Sequence, residues 1–279
     1  MLVITDPQKM RKYCASLSRK GRSIGFVPTM GALHEGHLEL VKAARKRSDA
    51  VIVSIFVNPI QFGPKEDFKK YPRDIKKDAA LLKKEKVDVL FNPSVESMTP
   101  KGLLSYVEAG KMGEVLCGAS RPGHFRGVAT IVAKFFNIIR PDTAFFGAKD
   151  FQQQAIIRKM VKDLNMGVEI VTVATVREKD GLAKSSRNAY LSAEQRAQAP
   201  ALHASLLLAK RMIAAGEKSV SKIIVAIKKS ILSRTDFVVD YVSIVDPETF
   251  EEKKIIKRPA LIAVAAYLGK TRLIDNILV

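Results

Sequence analysis

Apolar residues recur along the chain with two periods, and their alternation lays out an architecture. Residues 23–27 (SIGFV) form a short apolar run closed by Pro28, and from His34 onward Leu38, Val41 and Ala44 recur three apart: a strand, a loop and a helix. VIVSIFV at 51–57 is β-branched and apolar on both faces, as a buried parallel strand should be, and it stops at Asn58 and Pro59. A helical stretch at 73–85 and a strand at 87–91 repeat the unit. Over 124–139, Val128, Ile131, Val132, Phe135, Phe136 and Ile139 share one helical stripe ended by Pro141, with a strand at 143–147 behind it. A helix over 150–164, stopped by Gly167, and a strand at 168–176 close the series.

Repeated strand–helix order with short connections predicts an α/β fold. Its core is a Rossmann-like parallel sheet with helices on both faces, which binds ligands beyond the carboxyl ends of its strands. After 176 the texture changes to a Ser-rich charged loop, helices near 192–215 and 219–233, and strands at 236–245 and 260–268. That order is α+β and predicts a smaller C-terminal domain at 176–279, behind a first domain at 1–175.

The composition, 47% apolar and 27% charged, excludes a disordered chain. Lys and Arg number 47 against 28 Asp and Glu, a net charge of +19. Such a charge suits anionic substrates, nucleic acid or an acidic membrane. It is spread evenly, however, and lysine pairs such as Lys76-Lys77 and Lys228-Lys229 sit among apolar residues at helical spacing, which reads as solvated helix faces. The expectation is therefore no nucleic acid and no membrane partner. Two cysteines, Cys14 and Cys117, make no metal or disulfide framework, and no signal-like run is present, so a cytoplasmic protein is expected.

The densest chemistry lies at 28–37, PTMGALHEGH, where the first strand turns into the first helix. Gly31 and Gly36 let the backbone approach a ligand, and His34 and His37 share one face of a helix start that favours anions. Capping or chance metal binding is the bland alternative. GLAKSSRN at 181–188 sets Lys184, Ser185, Ser186 and Arg187 in one loop, a set of donors for phosphate oxygens or simply a solvated turn. FFGAKDFQQ at 145–153 brings Gly147, Lys149, Asp150 and Gln153 to a further strand end, with helix capping the other reading of Asp150. Asn58, Gln61 and Tyr71 lie in the long polar connection at 57–73, and His124 and Arg126 near the start of the apolar helix. His203 is assigned no role.

In that order, PTMGALHEGH, SIFVNPIQF, YPR, RPGHFRGVAT, FFGAKDFQQ and DGLAKSSRNAYL resemble the pantothenate synthetase (pantoate–β-alanine ligase) family over nearly the whole chain. HxGH and the KSSR loop are similar to the HIGH and KMSKS signatures of the wider nucleotidyltransferase superfamily. The resemblance implies a homodimer with a C-terminal lid, and ATP with Mg2+ as the activating pair. ATP and pantoate would form pantoyl adenylate and pyrophosphate, and the amine of β-alanine would then displace AMP.

Carried over by position, the family's ATP contacts fall on Met30, Gly31, Ala32, Leu33 and His34, then Glu35, Gly36 and His37. Gly147, Ala148, Lys149 and Asp150, with Val176, Lys184, Ser185, Ser186 and Arg187, complete that set. The catalytic positions are His37, His34 and Lys149; pantoate falls on Gln61 and Gln153, and β-alanine also on Gln61. The family often has Met where this chain has Lys184. Protein ligands for Mg2+ stay unassigned, Asp78 being the one carboxylate considered. Two other readings remain open: a nucleotidyltransferase acting on a phosphorylated vitamin precursor, and an RNA-binding module using the positive charge.

Overall fold

A computed structural model describes residues 1–64, 66–233 and 235–279. The chain opens with β1 (Leu2–Ile4) and α1 (Pro7–Arg19), neither of which the apolar pattern announces. Asp6 caps α1 by accepting the N–H of Lys9, Pro7 starts it, and Met10, Cys14 and Leu17 form its buried stripe. Then follow β2 (Ile24–Thr29), α2 (Glu35–Arg47), β3 (Ala50–Ile55), α3 (Ile75–Lys84) and β4 (Val89–Phe91). Two single turns, α4 (Val95–Met98) and α5 (Cys117–Ser120), lead to α6 (His124–Ile139), β5 (Thr143–Gly147), α7 (Phe151–Asp163) and β6 (Glu169–Val173).

β2 runs through Pro28 instead of closing there. Its pairing with β5 ends at Phe26, and beyond that point only β3 accompanies it, so a residue without an N–H is tolerated. The six strands form one parallel sheet in the order β1-β4-β3-β2-β5-β6. Alternate strand residues face opposite ways. Ile24, Phe26, Ile52 and Phe146 pack with residues of α1, α6 and α7, whereas Val27, Val51, Val53 and Phe145 pack with Leu40, Val41 and Ala44 of α2 and Leu82 of α3. The strand order reverses beside β2, so the carboxyl ends of β2 and β5, at Thr29 and Gly147, open the crevice where such sheets take ligands.

The remaining elements are α8 (Ala193–Gln198), α9 (Ala201–Ala214), α10 (Val220–Leu232), β7 (Phe237–Val245), β8 (Leu261–Leu268) and β9 (Thr271–Leu278). The helix expected at 192–215 is two helices separated at Ala199 and Pro200, and β9 is an addition to the sequence reading. β7, β8 and β9 make an antiparallel sheet. One face of it packs on α9 and α10 through Leu202, Leu206, Ile223 and Ile227. Its other face sets Val245, Leu261 and Ala263, with Phe250, against Leu116, Phe151 and Ala155 of the preceding chain. No described helix is long and apolar enough to cross a membrane.

Candidate active site

Between Thr29 and the start of α2 the chain makes a tight turn with Gly31 at φ +82° and Ala32 at φ +51°. The turn is held from behind by Asp78, in the first turn of α3, whose carboxylate oxygens accept the N–H groups of Ala32 at 2.8 Å and Leu33 at 2.9 Å. Asp78 is 2% exposed, so it faces neither solvent nor cleft, and both oxygens are already used. The carboxylate considered as a metal ligand is thus a brace for the HxGH turn. Burial raises its pKa despite the two backbone donors.

The turn delivers His34 to the N-cap of α2 and His37 one turn on, with ring centroids 4.1 Å apart. His34 Nδ1 accepts the Gly36 N–H at 3.1 Å, and His37 Nδ1 accepts the His34 N–H at 3.3 Å. A nitrogen that accepts carries no proton, so each neutral ring keeps its hydrogen on Nε2. Burial, reinforced by Lys149 and Lys184 at His34 and by His34 itself at His37, lowers the two pKa values to about 4 and about 3. Both imidazoles are therefore neutral donors at neutral pH. Gly36 is required at its position, since a Cβ there would lie 2.8 Å from the His34 ring.

One cleft collects Met30, His34, Gly36 and His37 with Gln61, Gly147, Lys149, Asp150 and Gln153. Val176, Lys184, Ser185, Ser186 and Arg187 line it too, with apolar residues that include Phe56, Val132 and Phe146. Gly31, Ala32 and Leu33 are absent from its lining and form the braced turn behind it. Glu35 points outward to Lys184, and Ala148 contributes a carbonyl to the C-terminal sheet.

Every cation at the cleft has a carboxylate neighbour. Lys149 Nζ lies 3.6 Å from Asp150, and Lys184 Nζ lies 2.9 Å from Glu35 and 3.1 Å from Glu178. Arg187 donates through Nε and Nη2 to the two oxygens of Asp67, at 3.1 and 3.0 Å. Asp150 occupies the N-cap position of α7 without making a capping bond, so the capping reading does not hold. Desolvation works to raise its pKa, but Lys149 and Arg187 prevail and hold the carboxyl below its usual range. Ser186 shares a 3.2 Å hydrogen bond with the Tyr71 hydroxyl, which together with the Asp67 pair fastens the KSSR loop onto the 57–73 connection.

Gln61 is placed with equal care. Asn58, 2% exposed, donates to Gln61 Oε1 at 2.9 Å and to the Gly127 carbonyl at 3.1 Å. His124 neither caps α6 nor lines this cleft; Gly123 is the N-cap. Arg121, paired with Glu66 through two hydrogen bonds, donates to His124 Nε2, which leaves Nδ1–H to donate to the Gln61 carbonyl at 2.8 Å. Burial and Arg121 lower the His124 pKa to about 4. Arg126 is outside the cleft, stacked over Tyr106 with Glu108 beside it.

Among the described residues no group of three or more His, Cys, Asp or Glu side chains could hold a metal ion. The cleft's carboxylate, Asp150, suits an ion that arrives on phosphate oxygens and keeps most of its waters.

A parallel sheet with an HxGH helix start, a lysine turn and a Ser-Ser-Arg loop at its carboxyl end defines an α/β enzyme of the HIGH-bearing nucleotidyltransferase class. A family model described as pantoate-beta-alanine ligase matches residues 2–278, and the chain belongs to that family. It is 53% identical over 279 residues to a pantothenate synthetase of Caldicellulosiruptor bescii, covering 100% of this chain and 99% of that protein. Identity to the Thermotoga petrophila pantothenate synthetase is 53% over 277 residues, 99% of each chain. The crystal structure of pantothenate synthetase from Thermus thermophilus superposes with a TM-score of 0.94 at 45% identity, over 99% of both chains. A Francisella tularensis pantoate-beta-alanine ligase, crystallised with beta-gamma ATP and beta-alanine, gives 0.81 at 35% identity over 100% of this chain and 97% of that one.

Proposed function

We propose that this cleft is where the family's reaction takes place, with ATP phosphates over His34 and His37 and pantoate beside Gln61 and Gln153. The reaction is the ATP-dependent condensation of pantoate with β-alanine through pantoyl adenylate. A pantoate carboxylate oxygen attacks the α-phosphorus as the bond to pyrophosphate breaks. The β-alanine amine then attacks the acyl carbon, loses a proton, and AMP departs.

The observation that carries the assignment is the pair of neutral imidazoles whose Nδ1 atoms are occupied by backbone donors. Their Nε2–H groups are fixed donors for charge that builds on the departing pyrophosphate, and a carboxylate nucleophile has no proton to give up. His37 thus acts as an electrostatic stabiliser and need not transfer a proton. Lys149, Ser185, Ser186 and Arg187 add donors around the same phosphates. Mg2+ carried on the phosphates would offset their charge. The neutral side chains of Gln61 and Gln153 suit the hydroxyl groups of a hydroxy acid, and β-alanine would also lie near Gln61.

The Francisella complex with beta-gamma ATP and beta-alanine supports the nucleotide and amine assignments. Residues 1–175 would then form the nucleotide and pantoate domain and 176–279 the smaller lid, in a homodimer. A cytoplasmic site is consistent with two buried free thiols, Cys14 and Cys117. The test is AMP formation from ATP, Mg2+ and D-pantoate, with and without β-alanine, with mass-spectrometric detection of pantothenate. Product must require both substrates; folded, ATP-binding protein that makes none would reject the assignment.

A further inference from the structure

We propose that Asn276, on the last strand of the C-terminal sheet, is a positioning residue for adenylation that holds the turn bearing Lys149. Its side-chain amide donates to the Ala148 carbonyl at 3.1 Å and to the Lys149 carbonyl at 2.8 Å. An amide has two hydrogens, and both are spent on consecutive carbonyls of the turn between β5 and α7. That turn leaves β5 at the cleft, so its backbone decides where the Lys149 ammonium lies.

The neighbouring residue holds the segment that leads into the KSSR loop. Asp275, 3% exposed, receives Nη1 and Nη2 of Arg177 at 2.7 and 2.9 Å, and the N–H of Asn276 at 2.8 Å. Arg177 also donates to the Gly181 carbonyl at 3.0 Å and pairs through its backbone with Ala183, one residue before Lys184. Two adjacent residues of β9 therefore tie together the lysine turn and the KSSR loop, both of which line the cleft. The apolar contact of Val245, Leu261 and Ala263 with Phe151 and Ala155 already holds the sheet against the first part of the chain. What the Asp275–Asn276 pair adds is registration, because hydrogen bonds fix distance and direction where apolar burial does not.

The inference rests on the reading of Lys149 as a phosphate-binding residue, and the experiment separates the two. Pantoate-dependent ATP–pyrophosphate exchange reports adenylation, and β-alanine attack on supplied pantoyl adenylate reports the second half-reaction. N276A should lower exchange by about 10- to 100-fold, the effect of displacing a catalytic group by about an ångström. It should leave attack on the adenylate within a few-fold and the melting temperature near that of the parent. N276S, with one hydroxyl donor, should recover part of the loss, whereas N276D, with no donor for the carbonyls, should not. If Asn276 acts through Lys149, the K149A/N276A double variant should be no slower than K149A alone. Exchange at the parental rate in N276A, losses that multiply in the double variant, or equal losses in both half-reactions with a fallen melting temperature would overturn the positioning role. Parental exchange in K149A would instead reject the reading of Lys149.

Discussion

Asp78 offers the sharpest test of how the HxGH turn is held, because its carboxylate is buried, has no cationic partner among the described contacts, and contacts the turn through two backbone donors. In Asp78→Ala both N–H groups lose their acceptor. At about 1–3 kcal/mol for each buried unpaired donor the loss is about 2–6 kcal/mol. Part of it is offset, since burial raises the Asp78 pKa and the ionised carboxyl itself opposes folding. In Asp78→Asn one oxygen is kept, but an amide N–H would face the N–H of Ala32 or Leu33, so one bond is lost and the turn must shift. The stability change should then be small, about 1–3 kcal/mol less the relieved desolvation. Activity should separate from stability: displacing His34 by about an ångström costs on the order of 100-fold in pyrophosphate exchange. Urea midpoints at constant slope, read beside exchange rates at saturating ATP and pantoate, make the comparison. Exchange at the parental rate in Asp78→Ala would refute the bracing argument. A folded pKa above the unfolded one also means that acidification relieves the Asp78 penalty, a stabilising trend that both variants should lack.

Four further outcomes follow. His37→Ala should slow adenylation by about 100-fold or more, leaving pantoate affinity nearly intact; pre-steady-state pyrophosphate release at the parental rate would contradict it. His34, His37 and His124 have lowered pKa values, so between about pH 6.5 and about 4 the unfolded chain binds protons that the folded one refuses, and stability falls with pH. For the buried His124, with its pKa at about 4, the loss by pH 4 is about 3 kcal/mol, and His124→Gln should flatten that limb of a pH series of urea midpoints. Lys184→Met removes ion pairs to the exposed Glu35 and to Glu178, a change of less than about 1 kcal/mol that calorimetry should show as no more than a few degrees. Gly127→Ala would put a Cβ 2.2 Å from the Ile60 carbonyl oxygen and 2.8 Å from Gln61 Cα, so it should destabilise by more than about 1 kcal/mol and raise the KM for pantoate.

The central strands and α2, α6 and α7 were legible because their burial is continuous and their apolar residues fall at regular spacing. β9 was not, because Asp275 sits on an inward-facing position where an apolar residue would have completed the alternation. That inward charge is matched by Arg177, 98 positions away in sequence, which no local pattern discloses. The same holds at the site. The HxGH and KSSR segments announce themselves by composition, but Asp67 meets Arg187 across 120 residues and Asn276 meets Lys149 across 127. Asp78 was visible as a carboxylate and its use was not, since a brace and a ligand have the same sequence signature.

The net charge of +19 gives the impression of a site waiting with bare cations, and the cleft contradicts it. Lys149, Lys184 and Arg187 each have a carboxylate within 4.0 Å, and the two histidines nearest them are neutral. A cluster of unpaired positive charge would repel itself and oppose the docking of the KSSR loop, so pairing with Asp67, Glu35 and Asp150 lets the loop close before ligand arrives. If ATP phosphates take these cations, as proposed, they compete with the carboxylates, and the KSSR loop would exchange Asp67 for phosphate at Arg187. Because Asp67 and Tyr71 lie on the 57–73 connection that also carries Gln61, nucleotide binding would loosen the segment beside the pantoate position. On that reading, the carboxylate that holds the resting loop, Asp67, would couple entry of the nucleotide to the segment beside the pantoate position.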